Sequence, residues 1–137
     1  MKSIFPQSMM GESGKESELN LEMIISKLTY FQEQTHLLHW QTLSYAEHKA
    51  LGNLYEYIQD FKDNIVEKLM GYTKQRPGLV KTIPLTNCQS MQCVEDLCMF
   101  AMKLKSYAEM NSYLDIGNLA DELSGMASKT KYLLTLS

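Results

Sequence analysis

Apolar residues recur along most of this chain at intervals of three and four, the spacing that gathers them on one side of an α-helix. Between residues 17 and 41 the stripe is Leu21, Ile24, Leu28, Phe31 and Leu38. Between 45 and 72 it is Leu51, Leu54, Ile58, Phe61, Ile65 and Leu69. A third stripe, within 91–111, holds Val94, Leu97, Ala101, Leu104 and Ala108. A fourth, within 116–134, holds Leu119, Leu123, Met126, Thr130 and Leu133. The first two helices are parted only by a break at Thr42-Leu43. Ser44 and Glu47 then have the spacing of a capping box, each side chain satisfying a free backbone donor of the second helix. Asp115 stands where the fourth helix needs an N-cap. The pattern predicts an all-α chain of four helices.

The stretch from 73 to 90 carries Pro77, Gly78 and Pro84 and has no helical period. A simple up-down bundle does not need so long a connection. A helix of about 23 residues is about 35 Å long, and about 16 extended residues reach about 50 Å. The connection can therefore cross the full length of the bundle and start the third helix parallel to the second. The other two breaks are short and predict antiparallel hairpins. One long crossover among four helices is the ferritin-like four-helix bundle.

At 137 residues the chain is expected to form one domain, over 17–137, behind a flexible Ser/Gly-containing tail at 1–16. Three prolines and seven glycines suit a helical protein. The formal charge of −3 argues against a general nucleic-acid binder. Cys88, Cys93 and Cys98 form neither an even set nor a metal knuckle, and read as reduced, partly buried thiols. The ten methionines lack tight Met-x-x-Met clustering and read as packing residues rather than copper ligands. No run of about 18 apolar residues is present to cross a membrane, and the apolar run near the start is too short for a signal peptide. A cytoplasmic protein is expected.

The candidate chemistry lies in His39, His48, Asp63 and Glu67. Two imidazoles and two carboxylates make an N/O ligand set suited to iron or zinc. On the second helix, His48, Gly52, Glu56, Gln59, Asp63 and Glu67 form one polar ribbon, roughly 140° from the apolar stripe. Asp63 and Glu67, four apart, are neighbours on it. His48 is about 22 Å from them along the axis, too far to share an ion within one chain. If the four bind one metal, the histidines of one subunit must meet the carboxylates of another. A two-fold dimer pairing the first two helices antiparallel does this and creates two sites.

His39-Trp40, then His48, then Asp63 and Glu67 fifteen and nineteen residues on, resembles the Dps family of mini-ferritins. That resemblance spans about residues 20–135 and implies a ferroxidase-type site at a dimer interface, with iron as the metal and zinc as a substitute. It implies oxidation of Fe(II) by peroxide or dioxygen for storage or detoxification, and a homo-oligomer up to a dodecameric shell. His36 falls where some members carry a further histidine, and Trp40 and Glu56 would support the ligands. The departures are specific. The interval from His39 to His48 is shorter than the family's, Gly52 stands where an acidic residue is usual, and the short helix of the long connection has little room. The tail has only Lys2 and Lys15, so DNA is not expected as a partner.

Against this stands an ordinary solvated helix face, which by itself explains an Asp–Glu pair. The functional alternative is a ferritin-like oligomer without redox turnover, acting as a binding or interaction module, compact enough for a phage genome.

Overall fold

A computed structural model describes residues 19–137; the predicted tail at 1–16 lies outside the described residues. Four helices follow one another: α1 (Leu21–Gln41), α2 (Tyr45–Thr73), α3 (Ser90–Asn111) and α4 (Leu114–Leu134). Each begins and ends for a local reason. Asn20 caps α1, its Oδ1 accepting from the Met23 N–H at 2.8 Å. This start is later than the one expected at residue 17, because an Asn in extended conformation is a better N-cap than continued helix. Ser44 caps α2 by accepting from the Glu47 N–H at 3.2 Å. Only that half of the expected capping box forms, since the Glu47 carboxylate accepts instead from the Ser90 hydroxyl at the start of α3. α4 begins at Leu114, before the expected cap. Asp115 is already in its first turn and pairs with Lys68 of α2. α2 and α3 both stop where a non-glycine residue turns left-handed, Lys74 at φ 57° and Ser112 at φ 58°.

The stripes of α1, α2 and α3 are buried in full. On α4, Leu119, Leu123 and Thr130 are buried, but Met126 and Leu133 are only half-buried. Ala127 and Leu134 occupy the inner face there instead, one residue out of phase with the predicted stripe. α1 packs on α2 and on α3, and α4 packs on α3 and on α2, so α1 lies diagonal to α4.

Residues 74–89 contain no helix, and they make the crossover. Three side chains of α1 hold it in register. The Glu22 carboxylate accepts from the Gly78 N–H at 2.7 Å, which holds that carboxyl below its ordinary pKa. Ser26 donates to the Lys81 carbonyl at 2.5 Å. The buried Gln34 amide donates to the Thr86 carbonyl at 3.0 Å and accepts from the Thr86 N–H at 2.9 Å. Positions 22, 26 and 34 thus meet 78, 81 and 86, so the crossover runs alongside α1 in the same direction. It delivers α3 to the end of the bundle where α2 begins, and the two helices run parallel. No helix among the described residues is long and apolar enough to cross a membrane.

Candidate metal site

α1 and α2 are joined by three residues, Thr42, Leu43 and Ser44. So tight a turn sets the last turn of α1 directly against the first turns of α2. His39 and His48 meet there, their rings stacked with centroids 3.8 Å apart and planes 17° from parallel. Each ring reaches across to the other residue's backbone. His39 Nδ1 lies 2.7 Å from the His48 carbonyl oxygen, and His48 Nδ1 lies 2.8 Å from the His39 carbonyl oxygen. A carbonyl oxygen only accepts, so both Nδ1 atoms must donate. In the neutral rings the lone pair then sits on Nε2, the arrangement a metal-binding imidazole needs.

The shortened turn also explains Gly52. A Cβ on this residue would stand 2.9 Å from His39 Cε1 and 3.0 Å from Nδ1. The imidazole lies across the glycine, so no acidic side chain fits between them while the ring keeps its bonds. The expected departure at Gly52 and the expected tightening of the turn are therefore one feature.

His36 lies one turn earlier on α1. Its ring stacks on Tyr55 of α2 at 3.8 Å and 18°, and meets the Trp40 ring at 3.8 Å. The file of rings runs on through His39, 5.9 Å from His36, to His48, and Tyr45 lies 6.4 Å beyond. Tyr55 and Tyr45 were not among the sequence candidates. Tyr55 was legible in principle, being three residues beyond Gly52 on the flank of the same ribbon.

Asp63, Glu67 and Glu56 are exposed on α2. Asp63 and Glu67 make no ion pair or side-chain hydrogen bond among the described residues. They lie several turns from the histidines, and no group of three His, Cys, Asp or Glu residues able to hold a metal forms among the described residues of one chain. The single chain therefore presents two half-sets, an imidazole pair at one end of the α1–α2 face and a carboxylate pair farther along. The rings also constrain what they could hold. An imidazole lone pair lies in the ring plane, and two nearly parallel planes 3.8 Å apart do not aim at a single ion. As stacked, they present two imidazoles in near-parallel planes.

The profile of a family of unknown function, DUF5856, matches residues 39–134. The chain belongs to that family. The match begins at His39 and takes in the imidazole pair, the carboxylates, the crossover and both later helices. The chain is also similar to an uncharacterized 14.6 kDa protein from the mobD-ri intergenic region of Enterobacteria phage T4. The two are 28% identical over 131 residues, covering 91% of this chain and 94% of the phage protein. No solved structure matches the chain.

The three thiols are free, with Cys93 buried and Cys88 and Cys98 half-buried. Burial raises the pKa of each, which disfavours the reactive thiolate.

Proposed function

We propose that this protein binds Fe(II) between two copies of itself and oxidises it, in the manner of the mini-ferritins that it resembles at His39, Trp40, His48, Asp63 and Glu67. The observation that carries the reading is the histidine clasp, in which two backbone carbonyls accept from both Nδ1 atoms and leave both Nε2 atoms out of these bonds. A metal-binding imidazole almost always donates its other ring N–H to a carbonyl or a carboxylate, as both of these do. Asp63 and Glu67, exposed on the same ribbon and without an ion pair among the described residues, would supply the complementary anionic half.

A two-fold pairing of α1–α2 faces, antiparallel, sets each imidazole pair against the partner's carboxylates and makes two sites per dimer. Because the rings lie side by side, each site would take two adjacent ions, one per imidazole, with the carboxylates offsetting their charge. Two Fe(II) supply the two electrons that reduce one hydrogen peroxide to water, with two protons taken up. Dioxygen is the other oxidant to test. Zinc would occupy the site without turnover. Twelve chains of 15.7 kDa would form a shell of about 190 kDa.

The test is complementation. One variant lacks the histidines (His39→Ala with His48→Ala), and the other lacks the carboxylates (Asp63→Ala with Glu67→Ala). Neither should bind Fe(II) alone. Refolded together in equal amounts, they rebuild one of the two sites in every mixed dimer. That is about a quarter of the wild-type capacity with random pairing. No binding by wild type above the carboxylate variant would refute the metal reading. An oligomer that forms without binding iron would instead identify a non-redox module, the reading that Gly52 favours by supplying no carboxylate.

A further inference from the structure

The outer face of α2 is unevenly charged. At about 100° per residue, Lys49, Glu56, Asp60, Asp63 and Glu67 fall on one strip, within about 60° of one another. All of them are exposed. The positive charge stands near the start of the strip, and the negative charge gathers towards its end. Glu47, Lys62 and Lys68 turn to other elements. Glu47 accepts from Ser90 of α3, Lys62 donates to Thr29 of α1, and Lys68 pairs with Asp115 of α4.

Lys49 and Asp63 lie seven residues either side of Glu56, about two helical turns. Two such helices, antiparallel about a two-fold axis beside Glu56, set each Lys49 against the Asp63 of the other copy. Glu67 follows one turn beyond Asp63 on the same strip. The histidines need this same axis, because the midpoints between His48 and the two carboxylates also fall beside Glu56 and Tyr57. A parallel pairing would set each charge against its own kind. In the antiparallel register only Glu56 meets its own copy, so two attractive contacts flank one repulsive contact.

We propose that Lys49 of each copy holds the Asp63–Glu67 pair of the other while no metal is bound, and yields it to an arriving divalent cation. The inference rests on the two-fold metal reading and adds a resident counter-ion to it. Two carboxylates one turn apart repel each other. An ammonium group between them offsets charge and forms charge-assisted hydrogen bonds. The dimer can then assemble before metal binds, and iron enters in competition with a lysine.

The test is a charge exchange, read by sedimentation of the intact protein in chelator. Lys49→Glu alone sets like charges together at both contacts, and so does Asp63→Lys with Glu67→Lys. Neither variant should pair with itself at concentrations where wild type dimerises. Mixed in equal amounts, the two satisfy both contacts and should dimerise about as tightly as wild type. Lys49→Gln should weaken the dimer about tenfold and Glu56→Gln should tighten it about threefold, both effects shrinking as salt is raised. At concentrations that keep both proteins paired, Zn(II) should bind Lys49→Gln more tightly than wild type, since no ammonium has to leave. Circular dichroism checks that the helices remain. Variants that pair with themselves as well as wild type does, or a mixture that fails to pair, would overturn the proposal and leave Lys49 as a solvated surface residue. Wild type that pairs only after Zn(II) is added would overturn it too, while keeping the metal reading. Wild type that neither pairs nor binds Zn(II) removes both.

Discussion

A Cβ added at Gly52 would stand 2.9 Å from His39 Cε1, so a single methyl group probes how closely the two residues fit. Gly52→Ala should gain about 1 kcal/mol of helix propensity. It should lose a similar amount as the new Cβ pushes His39 off the His48 carbonyl, a hydrogen bond worth about 1 kcal/mol. Thermal stability should hardly move, while the His39 imidazole resonances shift and Fe(II) affinity falls. An unchanged His39 spectrum would show that the ring yields freely. Gln34 is the contrasting case, because both ends of its amide are used on Thr86 in a buried setting. Gln34→Leu leaves a backbone donor and acceptor unanswered and should cost about 2–3 kcal/mol in denaturant unfolding. Lys27 gives a pH signature. Its folded pKa, about 8, lies below its ordinary value of 10.5, so the folded chain sheds this proton first. Stability from this group is least below the folded pKa and rises as pH climbs toward the unfolded one. Lys27→Met should therefore exceed wild type near neutral pH, with the gap narrowing by up to about 3 kcal/mol as pH rises.

Among the elements, the helix ends divide into those that obey local rules and those that answer to distant partners. Ser44→Ala should cost about 1 kcal/mol, the usual worth of an N-cap. Ser112→Gly should gain up to about 1 kcal/mol, since a left-handed residue with a Cβ is strained and glycine is not. The helices were legible because burial on one face imposes its period on the sequence, and the stripes of α1 to α3 are uninterrupted. The end of α4 was not, because its inner face runs from Leu123 through Ala127, Thr130 and Leu134, leaving Met126 and Leu133 at its edge. Glu47 and Asp115 were misread for one reason. Each has the spacing of a local cap, yet each is spent on a residue more than forty positions away, Ser90 and Lys68 respectively. The histidine pair was legible as chemistry, but its stacking was not. That depends on how closely a three-residue turn brings two backbones together, and no periodicity carries this information.

For the whole molecule, the α1–α2 face is where self-association should be visible. Trp40 is the one tryptophan in the chain and is 65% exposed on the isolated subunit, with Leu43 and Tyr45 exposed beside it. Pairing through this face should shift its fluorescence to the blue as concentration rises, in step with the mass from light scattering. Emission independent of concentration in an oligomer would place the interface elsewhere. The crossover has a different consequence. α1 with α2, and α3 with α4, are two hairpins, each closed by a short turn, and residues 74–89 are the sole covalent link between them. Side chains of α1 grip that link as far as Thr86, so residues 87–89 are where the second hairpin can be redirected to another copy. Two chains that open together can trade their α3–α4 halves and recover the helix–helix contacts of the closed form, with only the hinge altered. Refolding at high concentration should therefore trap interlocked dimers that dilution releases only as slowly as the bundle unfolds.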